Sequence, residues 1–242
     1  MLHQPDATLY EGKAKILYAT SDPKVVIQEF KDDLTAFNAQ KKGNFFGKGA
    51  INCQISAVIF QYLAREGINV HYRSLDSPRR MVIDRLDMVP IEVVVRNHVA
   101  GSLMKRLGIP EGETLSFPVL EWYYKRDDLG DPMVNRDHIR VLKLASDAVL
   151  DRIRAMALDI NERLIPFYRD RGITLVDMKL EFGWNASGAL VLGDEIDGDT
   201  SRLWDAVTKE KLDKDRFRMD LGSVKEGYEK IYEKVVGHAS ER

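Results

Sequence analysis

Between Leu175 and Phe182 the chain alternates without a break: Val176, Met178, Leu180 and Phe182 are apolar, while Asp177, Lys179 and Glu181 between them are charged. Side chains of a β-strand point to alternate faces, so this segment reads as a strand with one face for a core and one carrying two carboxylates and an ammonium. The strand-like run Ala189 to Gly193 follows across the turn-rich stretch Asn185, Ala186, Ser187, Gly188, which signals a hairpin. With the turn centred near Ala186 and Ser187, Asp194 falls opposite Lys179 and diagonal to Glu181 on the charged face.

Two readings of that face stand. It is either an exposed sheet surface with cross-strand ion pairs or a site where the charge is used. After Asp194 the chain continues Glu195, Ile196, Asp197, Gly198, Asp199, Thr200, Ser201, Arg202, and carboxylates at this density repel one another unless a cation sits among them. Hard oxygen ligands of this kind suit Mg²⁺, which takes one or two protein carboxylates together with phosphate oxygens. Carboxylates, magnesium and a lysine in one place point to phosphoryl chemistry.

The rest of the chain supplies an α+β frame. Thr8 to Tyr18, Val25 to Phe30, Val70 to Leu75 and Met81 to Leu86 read as short strands around Gly12, Pro23 and the Asp76-Ser77-Pro78 turn. Ile51, Ile55, Val58, Ile59, Tyr62 and Leu63 recur at helical spacing, and Gly67 stops the pattern. Beyond Pro90 come a β-branched strand, Ile91 to Val95, and an extended segment at Trp122 to Tyr124. A long helix follows, with an apolar stripe from Val149 to Leu164 and Gly172 past its end. A last helix is predicted from about Val224 to Val236, and the Asp87 to Pro90 connection divides an N-terminal part, 1–87, from a larger part, 88–242.

With 36 basic against 38 acidic residues the net charge is -2, so no global field draws the chain to nucleic acid or to an anionic membrane. Anionic ligands are left to local clusters. Neither the first ten residues nor any later run has the apolar length of a signal or a membrane span, and the expected location is cytoplasmic. Cys53, the sole cysteine, has no disulfide partner and sits in a helical pattern, where it reads as a buried small side chain. His98 and His138 lack metal-ligand spacing and read as ordinary polar residues.

Two clusters could hold anions. In Glu11-Gly-Lys-Ala-Lys15 the i, i+2 spacing aims Lys13 and Lys15 the same way, and Gly12 admits a phosphate close to the backbone; the alternative is a hairpin turn with solvated lysines. Arg96-Asn-His-Val-Ala-Gly-Ser102 joins a strand to a helix start. There Arg96 either grips a phosphate or carboxylate in bidentate fashion, Arg202 adding a second fork, or Ser102 caps a helix and Arg96 pairs with a surface acid.

Six strings in order, Tyr10-Glu-Gly-Lys-Ala-Lys15, Lys48-Gly-Ala-Ile-Asn52, Val89 to Asn97 with Gly101-Ser-Leu103, Asp131-Pro-Met-Val-Asn135, Leu175 to Gly183, and Leu192 to Glu195 with Ser201 to Asp205, closely resemble the phosphoribosylaminoimidazole-succinocarboxamide synthase (SAICAR synthetase) family. The resemblance spans nearly the whole chain. It implies an antiparallel ATP-binding lobe similar to kinase N-lobes, a larger ATP-grasp-like α+β lobe with the acceptor site between them, and a homodimer. It also implies roles: Lys13 and Lys15 at the nucleotide phosphates, the Arg85 to Met88 connection as adenine hinge, and Glu181 and Asp194 as magnesium ligands. Arg96, Ser102 and Arg202 resemble the groups that hold the phosphoribosyl substrate, with Asp177, Lys179 and Asp199 facing the reacting centre. Some members carry lysines at the positions of Asp84 and Arg85 and an acid at that of Asn38. The implied activity is ligation of carboxyaminoimidazole ribotide (CAIR) to L-aspartate at the expense of ATP, in purine biosynthesis. A kinase-like phosphotransferase and a nucleotide-sensing module without turnover are the alternatives. The acceptor-side strings speak against the first and the retained carboxylates and lysines against the second.

Overall fold

The computed structural model describes residues 7–36 and 40–237. Asn38, singled out above, and residues 1–6 at the start of the chain lie outside them. The first part contains β1 (Thr8–Glu11), β2 (Lys15–Ala19), β3 (Val25–Phe30), β4 (Asp33–Ala36), β5 (Lys41–Asn44), α1 (Lys48–Arg65), β6 (Tyr72–Ser77) and β7 (Arg80–Asp84). The second contains β8 (Asp87–His98), α2 (Ser102–Leu107), β9 (Thr114–Tyr124), β10 (Met133–Val134), α3 (Arg136–Val141) and α4 (Asp147–Arg169). It ends with β11 (Ile173–Trp184), β12 (Leu190–Gly193), β13 (Ser201–Asp205), α5 (Asp215–Arg218) and α6 (Val224–Tyr232), the last running on as a π-helical turn over Glu233–Gly237.

Five strands form one antiparallel sheet in the order β1-β2-β3-β7-β6, and β4 pairs with β5 in a separate hairpin. The second sheet runs β10-β9-β8-β11-β12, with β13 also on β11. The mixed α/β architecture with antiparallel sheets agrees with the α+β expectation. Elements too short for periodicity, β4, β5, β10, β13, α3 and α5, had no signal, whereas α2 begins at the helix start expected at Ser102. β9 runs well beyond Trp122–Tyr124, starting at Thr114; in its largely exposed outer half Leu115, Phe117 and Val119 alternate with Thr114, Ser116 and Pro118.

β11 is central. Val176, Met178, Leu180 and Phe182 are at most 1% exposed, and α4 lies across this strand with Ile153, Ala157, Ile160 and Leu164 fully buried. One apolar cluster takes in Phe60 of α1, Ile83 of β7, Val93 of β8, Ile160 of α4, Leu180 of β11 and Ile231 of α6, so it runs through both sheets. The sheets also touch through backbone: Val70 bridges Leu192, and the His71 N–H donates to the Leu192 carbonyl at 2.9 Å. α1 packs on α6.

The far edge of β11 has two partners in succession. Ile173 to Met178 pair with β13 and Glu181 to Trp184 with β12. The chain between those partners, 194–200, therefore leaves the ladder beside Lys179, whose N–H donates to the Thr200 carbonyl at 2.8 Å.

The hairpin register differs from expectation by one residue. Glu181 faces Gly193, so a regular continuation of β12 would send Asp194 to the core face. It does not, because Asp194 takes the left-handed conformation at φ 61, one that aspartate tolerates better than most residues. That twist returns its carboxylate to Lys179, 3.1 Å away.

Leu164→Ala is expected to lower unfolding free energy by about 2–5 kcal/mol in urea titrations, the range for deleting a fully buried leucine. A loss under about 1 kcal/mol would contradict the docking of α4 on β11.

Candidate active site

Two cavities of about 490 and 400 Å³, both in the range of small-molecule sites, share Tyr10, Lys15, Lys125, Glu181 and Asp194 and so form one groove. Its length follows β8. Val89, Ile91, Val93 and Val95 are buried, while Met88, Glu92 and Arg96 share the opposite face with Glu181, Lys179 and Asp177 of the antiparallel neighbour.

The Met88 end is apolar. Leu17, Val26, Ile83, Leu86 and Met88 line it, with Arg85 at its rim. A Cβ on Gly193 would stand 2.9 Å from Leu86, and one on Gly183 would stand 3.0 Å from the Met88 sulfur, so these two glycines give the wall its depth. His71 also lines this end, 2% exposed, and among the described residues its Nε2 has no hydrogen-bond partner.

In the middle the groove is charged. The Lys179 ammonium reaches Glu181 at 2.6 Å, Asp194 at 3.1 Å and Glu92 at 3.2 Å. Lys15 bonds Asp194 and, at 2.6 Å, Glu195, while Lys125 bonds the other oxygen of Glu181. Lys13 lies at the mouth, 2.7 Å from Asp127. Burial would raise the Glu181 carboxyl and depress the Lys179 ammonium. The opposite charges win at both, holding Glu181 below and Lys179 above their ordinary values.

Charge balance within the acidic stretch does not call for a metal. Asp194 and Glu195 are met by lysines, Asp199 is met by Lys48 at 2.6 Å, and burial beside Asp199 and Glu195 pushes the Asp197 carboxyl well up. Among the described residues no group of three or more His, Cys, Asp or Glu is arranged around a metal position. Glu181 and Asp194 nevertheless fit magnesium. Both touch the single Lys179 ammonium, so one cation reaches both, and two carboxylates with phosphate oxygens satisfy this ion.

At the far end Arg96, 3% exposed, donates to Glu121 at 2.8 Å and Asp177 at 2.6 Å, and to the Ser102 hydroxyl at 3.2 Å. Arg202 donates to the same Asp177 oxygen at 2.9 Å and to Asp215 at 2.7 Å. It lies on Gly101, φ 55, where a Cβ would come within 2.4 Å of the guanidinium. Asp215 in turn takes Arg218, which lines the first cavity.

The bland readings of this end fail. Gly101, not Ser102, is the N-cap of α2, and Ser102 accepts from Arg96 and Arg106. The acids on Arg96 are buried, not superficial. Of the residues singled out from sequence, Lys13, Lys15, Lys179, Glu181, Asp194 and Asp199 line the first cavity and Arg85 and Met88 the second. Asp177, Arg96, Ser102 and Arg202 form the adjoining network. Asp199 is not open like the others: Lys48 and Tyr228 hold its two oxygens. Glu92 was missed although the same alternation that exposes Arg96 exposes it. Lys125 and Lys214, also in the groove, carried no signal, since neither lies in a periodic segment. His138 belongs to a capping box with Asn135, and Cys53 is buried.

Burial, helped by the Lys15 charge, brings the His71 imidazole down to about 3. The unfolded chain protonates this group near 6.5, so the stability of neutral His71 is complete above that pH and is lost as pH falls towards 3. Compared with His71→Gln, the wild type is expected to lose about 1.4 kcal/mol per pH unit between pH 6 and 4. Parallel pH profiles of the two proteins in urea unfolding would contradict a buried neutral imidazole.

The model of the family described as SAICAR synthetase matches residues 8–235. A phosphoribosylaminoimidazole-succinocarboxamide synthase of Thermosynechococcus vestitus is 51% identical over 235 residues, 96% of this chain and 97% of the relative. The crystal structure of the synthase from Ehrlichia chaffeensis superposes with a TM-score of 0.92 at 43% identity, covering 95% of this chain and 98% of that one. A SAICAR synthetase structure in complex with ADP gives 0.91 at 49% identity, covering 94% and 97%. Matched by the family model over residues 8–235 and half identical to a relative over nearly its full length, the chain belongs to the SAICAR synthetase family.

Proposed function

We propose that this protein joins CAIR to L-aspartate with consumption of ATP, giving SAICAR, ADP and phosphate in purine biosynthesis. The observation that carries this reading is the order of surfaces along one strand face, from an apolar slot through paired lysines and carboxylates to a buried arginine fork. ATP suits that order, with adenine against Arg85 to Met88 and the phosphates at Lys13 and Lys15. The ribotide phosphate suits Arg96, Ser102 and Arg202.

A carboxylate resists amine attack until one oxygen becomes a leaving group. In this reading the CAIR carboxylate oxygen attacks the γ-phosphorus and the bond to the β-phosphate oxygen breaks, releasing ADP. The L-aspartate nitrogen then adds to the acyl carbon, loses a proton, and the carbon–oxygen bond to phosphate breaks. Lys179 lies where charge collects on the transferring group, and Asp177 orients the arginines beside it. Glu181 and Asp194 would hold magnesium, which when bound offsets the phosphate charge.

The reading extends to two lobes, 1–87 and 88–242, with the groove between them, to a cytoplasmic homodimer, and to independence from nucleic acid and membrane. Among the described residues no helix is long and apolar enough to cross a membrane.

Release of ADP is expected to require both CAIR and L-aspartate, with a new amide product detected by mass. Rapid ATP hydrolysis with neither present would sink the ligase reading. Glu181→Gln and Asp194→Asn should each remove several kcal/mol of transition-state stabilisation while preserving the fold. Asparagine also tolerates the left-handed backbone at 194. The stabilisation of the wild type by ATP with Mg²⁺ in thermal melting should shrink in both variants; a shift that persists in full would place the metal elsewhere. Arg96→Ala should raise the KM for CAIR far more than that for ATP, and equal effects on both would remove this arginine from the ribotide.

A further inference from the structure

Lys48 is the first residue of α1, a place doubly hostile to a cation. Its side chain is 1% exposed, and the N-terminal end of a helix carries partial positive charge. Burial alone would depress its ammonium, yet Asp199, with Asp197 and Glu195 nearby, holds it above its ordinary value. A buried ion pair is weak evidence for stability, since desolvation offsets much of the attraction. Asp199 faces the first cavity, whereas Lys48 is not part of its lining.

Lys214 lines that cavity too. Lys13, Lys15, Lys125 and Lys179 around the same space each touch a carboxylate. Among the described residues the Lys214 ammonium has no ion pair or hydrogen bond, although the Asp199 charge reaches it. The reason is local: the two Asp199 oxygens are taken, one by Lys48 at 2.6 Å and the other by the Tyr228 hydroxyl at 2.6 Å. Burial and the charges of Arg218 and Lys48 hold the Lys214 amine below its ordinary range.

We propose that Lys48 is a positioning residue that neutralises Asp199 from behind and so leaves Lys214 unpaired in the cavity, as the seat for a carboxylate of the amino-acid substrate. The part concerning Lys48 and Lys214 stands without the ligase reading, and the part concerning the substrate rests on it. A cation already satisfied by the protein must break that bond before it meets a ligand; Lys214 meets one directly. Arg218 lies four residues on and also lines the cavity, but it is paired with Asp215.

The test is acetylation of the free protein by acetic anhydride at pH 8, read lysine by lysine in mass spectra. Lys214 is expected to react roughly tenfold or more faster than Lys179, whose pairing disfavours the neutral amine. In Lys48→Met, Asp199 turns to Lys214 and slows its labelling roughly tenfold, and Lys48→Met/Asp199→Asn restores the rate. Slow labelling of Lys179 in each variant reports an intact groove. Should Lys48→Met fail to fold, Lys48→Arg and Asp199→Asn must each leave Lys214 as reactive as in the wild type. Equal labelling of Lys214 and Lys179 in the wild type, or an unchanged Lys214 in folded Lys48→Met, overturns the assignment. L-Aspartate should slow labelling of Lys214, and the KM for L-aspartate should rise in Lys48→Met with that for ATP unchanged. A reactive Lys214 that L-aspartate leaves unprotected overturns the seat alone, whereas absence of any L-aspartate-dependent turnover in the wild type overturns the ligase reading instead.

Discussion

The Lys179 ammonium lies against carboxylates from three successive parts of the second sheet: Glu92 on β8, Glu181 on β11 and Asp194 at the end of β12. Glu92 and Glu181 stand directly opposite in the ladder, where like charges oppose pairing. Lys179 and Lys125 reverse that sign. Because side chains in strands repeat every two residues, a slip of one position would bury these charges in the apolar core and expose Met178 and Leu180. The register of the sheet therefore fixes which charges meet in the groove.

The first sheet is drawn to this centre through Lys15, which reaches from β2 to Asp194 and Glu195. Backbone bonds between Asn69, His71 and Leu192 fix its inner edge on β12. The groove is thus framed by two sheets, with opposite charges bonded across it at the level where the apolar end meets the polar one. Ion pairs this screened from water are stronger than surface pairs, and breaking one leaves its partner costly to keep buried. A ligand that engages the lysines must supply replacement charge to the carboxylates.

Much of this was legible in the sequence where period and chemistry coincide. The alternation from Asp177 to Phe182 yields both the core face and the charged face, and the helical stripe from Val149 to Leu164 yields α4; Val176, at an irregularity in the ladder, instead joins Ala100 and Trp204 in a separate apolar cluster. The acid-rich stretch after Asp194 was found as a site. Of its cations, Lys179 follows from the strand alternation, but the pairing of Lys15 and Lys48 with these acids does not, because they come from separate elements that only the fold brings together. The hairpin register was off by one, yet Asp194 still reached Lys179. That outcome depends on a single left-handed residue, and periodicity says nothing about φ. Lys214, just before the short α5, had neither stripe nor motif to mark it.

β8 passes from Met88 to Arg96 as one strand, about eight residues at roughly 3.3 Å each, on the same face throughout. From Glu92 to Arg96 the strand is paired on both sides, and Met88 pairs with Gly183 beyond an irregularity in the ladder, so the separation between the apolar slot and the arginine fork is set mainly by the peptide backbone. In the proposed reading the groove then works as a gauge. Ligands seated at its two ends bring their reactive groups together only if their lengths sum to that interval, and a nucleotide shorter by one phosphate would seat well yet stop short. Discrimination by length in this form requires no contact with the atoms that differ.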